Sequence, residues 1–185
     1  MKYAITGGIG SGKSHVCGML QQHGIDIYDC DAAAKRLIAT DETVRKSLTN
    51  TVGMGVFHAD GTLNKAVLTD FLLKSDENTR IVNQIVHPAV ARDFERSGKQ
   101  WMECAILFSS GFDRLVDRVV CVTAPLEVRI DRVMKRDGIS REKACEWIDK
   151  QWPQEKVAAL SDFEIVNDGV ADLKKQIAAI ITKNN

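Results

Sequence analysis

Two rhythms of apolar and polar positions run along this chain, and the changes between them mark its elements. Tyr3-Ala4-Ile5 is a short apolar run with the length of a buried strand. From Lys13 onward, Val16, Met19 and Leu20 recur at helical spacing, which predicts a helix over 13–23 closed by Gly24. Ile25-Asp26-Ile27-Tyr28 predicts a second strand that delivers Asp29-Cys30-Asp31 at its carboxyl end. Residues 32–98 then read as mostly helical, with segments at 32–38 and 42–52. His58-Ala59-Asp60-Gly61 reads as a turn, after which Leu63, Val67, Leu68, Phe71 and Leu72 share one helical face. The stretch from Asp76 to about Gly98 contains His87-Pro88. Proline disfavours helical geometry at the residue before it, so one helix is expected to end near Val86 and another to start at Pro88.

The run over 101–108 (Trp-Met-Glu-Cys-Ala-Ile-Leu-Phe) is nearly continuous in apolar residues, as a buried parallel strand should be. It predicts a third strand. Val119-Val120-Cys121-Val122-Thr123 predicts a fourth, followed by a helix over 125–135 and another from Ser140, where Ser-Arg-Glu-Lys is cap-like. Phe163-Glu164-Ile165-Val166 predicts a fifth, and Asn167-Asp168-Gly169 a turn. A closing helix over 170–183 puts Leu173, Ile177, Ile180 and Ile181 on one side. Strands alternating with helices predict an α/β fold with a five-stranded parallel sheet. The excursion between the second and third strands is too long for an ordinary crossover and reads as an inserted helical unit.

Composition narrows the class. With 185 residues and a hydrophobic fraction of 44%, the chain can bury a real core. Lys+Arg and Asp+Glu balance at 25 each, so there is no global charge argument for a nucleic-acid or membrane partner. Cys17, Cys30, Cys104, Cys121 and Cys145 are dispersed and form no C-x-x-C, which favours buried thiols in a reducing compartment over disulfides or a metal site. No apolar run approaches the ~18 residues a membrane span needs, and strand and loop begin at once with no signal-like segment before them. The expectation is a cytoplasmic protein, a monomer or weak homo-oligomer.

The chemistry starts between the first strand and the first helix. Gly7-Gly8-Ile9-Gly10-Ser11-Gly12-Lys13-Ser14 fits G-x-x-x-x-G-K-[ST], a loop whose N–H groups cradle phosphates. Lys13 adds a mobile cation for β- and γ-phosphates, and Ser14 a hydroxyl for Mg²⁺. Asp29 and Asp31 stand at a strand's carboxyl end, where open α/β sheets bind ligands. Asp31 suits orienting or deprotonating an attacking hydroxyl, while Asp29 suits a helix cap or a Mg²⁺-bound water. His87 is either an acceptor contact or a structural histidine. Arg129, Arg132 and Arg136 share a helical face with Lys135 beside them. The polar hairpin after them reads as a lid that brings Arg136 or Arg141 to a transferring phosphoryl group, with a solvated charged face as the plainer reading.

Together these segments resemble the dephospho-CoA kinases over nearly the full length. The resemblance rests on Thr6 to Ser14, Asp29-x-Asp31, Asp60-Gly61-x-Leu63, His87-Pro88, Leu107-Phe108, Arg132-x-x-x-Arg136-Asp137, Gln151, Asp162 and Asn167-x-Gly169. It implies a P-loop NTPase three-layer fold with a helical insertion and a helical lid. The nucleotide-binding core would be 1–31, 99–135 and 157–185, the acceptor-binding insertion 32–98 and the lid 136–156. It implies ATP-dependent phosphorylation of the ribose 3′-hydroxyl of dephospho-CoA, with ATP and Mg²⁺ required. Carried over by position, Gly8, Gly10, Ser11, Gly12, Lys13, Ser14, His15, Arg136 and Arg141 would hold ATP. Asp31, Lys65 and His87 would meet the acceptor, with Lys13, Asp31 and Arg136 catalytic and Ser14 and Asp29 on the metal side. The chain departs from the family pattern at His15 where Thr is usual, at Lys65 where Arg is common, and at Ala105 and Ser109 where the third strand usually has Pro and Glu. Asp29, Asp31 and Glu103 remain as carboxylates near the sheet's edge. The same residues also fit a related kinase acting on a nucleoside monophosphate or sugar acid, or a nucleotide-binding protein with weakened catalysis.

Overall fold

The computed structural model describes residues 1–182, so Lys183, the last residue of the expected closing helix, lies outside the described residues. The strands are β1 (Tyr3–Thr6), β2 (Ile27–Asp29), β3 (Trp101–Glu103), β4 (Arg118–Thr123) and β5 (Phe163–Val166). They form one sheet in the order β2-β3-β1-β4-β5. β1 is central and buried along its whole length. It runs parallel to β3, with Tyr3 opposite Trp101, and to β4, with Thr6 opposite Cys121. β5 extends the parallel ladder from β4, with Thr123 opposite Val166.

The helices that follow β1 and β5 cover the sheet. Val16, Cys17 and Leu20 of α1 (Lys13–Gln22) and Ile177 and Ile180 of α10 (Leu173–Thr182) pack with Tyr3, Ile5, Val120, Val122 and Ile165 in one core. The rings of Tyr3 and Trp101 stack in it, centroids 4.4 Å apart. A second apolar cluster joins α7 (Leu126–Asp137) to α8 (Arg141–Asp149) through Ile130, Val133, Ala144 and Ile148. The short α9 (Gln154–Ala159) tethers itself beyond the end of β4, its Gln154 amide exchanging two hydrogen bonds with the Ala124 backbone at 3.0 and 3.1 Å.

The chain divides into two compact units, one made of Met1–Tyr28 with the chain from Lys99 onward, the other of Asp29–Gly98. The second unit is helical: α2 (Cys30–Thr40), α3 (Glu42–Val52), α4 (Lys65–Leu73) and α5 (Asp76–Ser97). Asp29, Asp41, Asn64 and Ser75 cap these four helices in turn, each side chain accepting a first-turn N–H. The expected turn at 58–61 is present, with Gly61 at φ 83° and Asp60 accepting from the Thr62 N–H and hydroxyl.

Two expectations are corrected. The third strand stops at Glu103 instead of running to Phe108, and Leu107–Ser110 form a short helix, α6. Its partner β1 ends at Thr6, and the last ladder bond is Cys104 N–H to the Ile5 carbonyl, so beyond it there is no strand to pair with. The helix expected to break before Pro88 instead runs unbroken for 22 residues as α5. A mid-helix proline costs about 3 kcal/mol, but burying one large apolar side chain contributes roughly 1.5–3 kcal/mol. Val82, Val86, Ala89, Val90 and Phe94 form a buried stripe that continues across Pro88, and packing outweighs the lost hydrogen bond.

Candidate active site

The glycine loop joins β1 to α1 and has left-handed backbone at Gly10 (φ 80°) and Gly12 (φ 90°). Here glycine is needed for space as well as for conformation. A Cβ on Gly12 would strike the Asn167 amide, and one on Gly10 the backbone of Arg129. Ser11 N–H closes a turn on the Gly8 carbonyl at 3.1 Å. No side chain caps α1 at Gly12, in contrast to α2 through α5, so the positive end of its dipole is left to a ligand.

Side chains from far along the chain fix the arch by its peptide groups. Arg129, only 5% exposed, donates from Nε to the Ile9 carbonyl at 3.0 Å. Gln151 Oε1 accepts from Ile9 N–H at 2.6 Å, so both faces of that residue's backbone are held. Arg132 Nη1 donates to the Gly10 and Ser11 carbonyls at 3.3 Å, and Asn167 Nδ2 to the Ser11 carbonyl at 2.8 Å. The Ile9 side chain packs on the α7–α8 cluster. Burial pulls the Arg129 pKa down and Glu155 partly opposes it, but a guanidinium keeps its charge at neutral pH. Sequence reasoning put Arg129 and Arg132 on a common helical face and noted Gln151 and Asn167, but it did not see that all four brace the loop. The arginine spacing was the one local signal.

Lys13 Nζ stands 3.9 Å from Glu103 Oε1, with both side chains mostly buried. That is a charge contact and too long for a hydrogen bond. It puts a carboxylate beside the loop lysine, at the end of β3. On β4, burial and then Glu164 push the Cys121 thiol up to about 12 against the opposing pull of Lys13 and Arg129, so it is a neutral packing group.

Each of the remaining expected site residues has its own local setting. Asp29 caps α2, its Oδ1 accepting from Ala32 N–H at 2.9 Å, and Asp31 lies exposed in the first turn of that helix. Lys65 opens α4. His87 is half-buried within α5, where burial lowers its pKa and favours the neutral imidazole. Arg136 is bidentate to Asp137, and Arg141 pairs with Glu127 at 2.8 Å, both largely exposed. Among the described residues no cluster of three or more His, Cys, Asp or Glu forms a metal cage.

A five-stranded parallel sheet with a braced glycine loop at the end of its central strand defines a P-loop kinase fold. The family model for dephospho-CoA kinase matches residues 1–172. The chain belongs to the dephospho-CoA kinase family. A dephospho-CoA kinase of Bacteroides fragilis (strain YCH46) is 40% identical over 192 residues, covering 98% of this chain and 91% of that protein. A crystal structure from Thermus thermophilus has a TM-score of 0.84 at 29% identity, covering 100% of this chain and 98% of the other. The dephospho-CoA kinase from Campylobacter jejuni shares the fold, with a TM-score of 0.68 at 20% identity over 100% of this chain and 98% of its own.

Proposed function

We propose that this kinase transfers the γ-phosphoryl group of ATP to the ribose 3′-hydroxyl of dephospho-CoA, giving coenzyme A and ADP in the last step of coenzyme A synthesis. The observation that carries the reading is a phosphate loop held in a fixed arch within a chain that matches the family across both of its units. Phosphoryl transfer asks little covalent chemistry of a protein and much positioning, and a braced arch meets that demand.

Roles follow from the residues' chemistry. Gly8, Gly10, Ser11 and Gly12 present the loop backbone to the donor's phosphates, together with the first-turn residues Lys13, Ser14 and His15. Lys13 leaves Glu103 for the β- and γ-phosphates. Ser14 holds Mg²⁺ through its hydroxyl, with Asp29 available on the metal side because capping uses only one of its oxygens. When bound, Mg²⁺ neutralises charge that builds between the β- and γ-phosphates. Asp31 orients the acceptor hydroxyl and takes its proton. Lys65 and His87 contact the acceptor within the insertion 32–98, and Arg136 and Arg141 bring positive charge from a lid over 136–156. The work is done in the cytoplasm.

The test is ADP release from ATP and Mg²⁺ with dephospho-CoA, AMP, dTMP or no acceptor. Stimulation by dephospho-CoA alone, with coenzyme A formed, is the expected result. Stimulation by another acceptor would keep the kinase and overturn the acceptor. ATP binding with no stimulated release would point to a nucleotide-binding protein with weakened catalysis.

A further inference from the structure

At the carboxyl ends of β1 and β3 a cavity of about 180 Å³ opens beside the phosphate loop. Gly7 and Gly8 line it from the loop, Phe108 and Ser109 from α6, and Gln151 and Trp152 from the turn between α8 and α9. The rings of Phe108 and Trp152 lie 4° from parallel with centroids 6.4 Å apart. A third ring between two others needs about 7 Å, twice the carbon–carbon contact distance. A cavity of roughly 150 Å³ already admits a benzene ring. Trp152 is 40% exposed. Lys156 Nζ stands 3.9 Å over its ring, and Lys150 also lines the cavity. Among the described lining residues there is no carboxylate to repel an anion, since α6 presents Ser109.

We propose that this cavity takes the purine ring of the acceptor nucleotide, stacked on the Phe108–Trp152 wall. The proposal rests on the kinase reading above and adds where the acceptor's base goes. The loop has two ends. Its Ser11–Gly12 end is closed in by Arg132 and Asn167, while its Gly7–Gly8 end meets the cavity. In-line transfer requires the acceptor hydroxyl on the far side of the terminal phosphate from the donor's leaving group. An aromatic wall at the open end therefore belongs to the acceptor. Stacking suits it because a purine presents a π-face whatever the edge contacts are. Trp152 is then a specificity-determining residue contributed from beyond α8 and not from the helical unit.

The experiment is steady-state kinetics of wild type, Trp152→Ala and Trp152→Phe, varying ATP and dephospho-CoA separately. Loss of a base–aromatic stack should raise the KM for dephospho-CoA by about tenfold or more in Trp152→Ala. The KM for ATP should stay within about twofold, and Trp152→Phe should keep most of the wild-type value. A rise in the ATP KM with the acceptor's unchanged would give the cavity to the donor's base and overturn the proposal. Unchanged values for both would show that no base stacks there, with the same consequence. Wild-type enzyme that releases no ADP in response to dephospho-CoA would instead overturn the reaction itself, and the acceptor identity with it. The failure of the cavity assignment is thus read only in enzyme that turns over.

Discussion

The Nε–H of Arg129 reaches the carbonyl of Ile9 at 3.0 Å, across 120 residues of sequence. A buried guanidinium near the start of α7 thereby sets the orientation of one peptide in the phosphate loop. Replacing it with the similarly long Met leaves that carbonyl without its charged partner. Arg129→Met should lower stability by about 1–3 kcal/mol, the scale for a hydrogen bond to a charged group. It should also weaken ATP binding. Thermal unfolding and an ATP titration together check this, and a lowered Tm with unchanged ATP affinity would reduce Arg129 to a packing role.

Two glycines of the same loop should differ in their tolerance of a methyl group. On Gly8 a Cβ meets the ends of the Arg129 and Gln151 side chains, which can move. On Gly10, at φ 80°, it meets the Arg129 backbone, which cannot. Gly10→Ala should abolish measurable ATP binding, while Gly8→Ala should retain part of it. Equal losses in both variants would mean that the loop tolerates no methyl group anywhere and that the flexible neighbours do not yield.

Asp31 is the residue proposed to handle the acceptor's proton. Asp31→Asn keeps size and polarity and removes the base. Turnover should fall by about 10²–10⁴-fold, with ATP affinity close to wild type. Near-normal kcat in this variant would remove Asp31 from the mechanism.

Burial in α5 pushes the His87 pKa below its ordinary value of about 6.5. The unfolded chain therefore binds that proton more tightly than the folded one. The stability that His87 contributes is complete above the unfolded value and is lost as pH falls through the folded one. Urea midpoints should drop between about pH 7 and pH 5 in wild type, and His87→Gln should flatten that part of the decline. A parallel decline in both proteins would assign it to other groups.

Cys17, Cys30, Cys104 and Cys121 are buried, and Cys145 is partly exposed. With the Cys121 thiol pushed up to about 12, it offers no thiolate at neutral pH. Iodoacetamide should label native protein at Cys145 alone, and the other positions only after unfolding. Peptide mass mapping reads this directly, and label on Cys121 in native protein would contradict the burial described here.

The loop was legible in the sequence because its function depends on local chemistry: glycines for close approach, then Lys13 and Ser14 in register with a helix start. The core strands were legible because burial on both faces forces an apolar run. The run over 101–108 misled for the same reason. Ala105, Ile106, Leu107 and Phe108 are apolar because they line a cavity beyond the sheet, and a pattern of hydrophobicity does not say what a residue is hidden against. Pro88 misled in the opposite sense, since a local steric rule gave way to a buried stripe on either side of it. The braces were out of reach. Nothing near Gln151 or Asn167 in sequence indicates that they hold Ile9 and Ser11, because such contacts exist only after the chain has closed on itself.

The order of the sheet has a consequence for how the protein is made. β1 leaves the ribosome first, yet both strands that flank it are encoded after the helical unit is complete. The contacts of α2 through α5 are close in sequence and form fast, whereas pairings of high sequence separation carry the entropy cost of a long closure. Asp29–Gly98 should therefore gain structure while Tyr3–Thr6 still has no partner on either edge. For that interval a strand that ends up buried along its whole length is an open template for other chains, and a chaperone that shields nascent chains should raise the yield of native kinase.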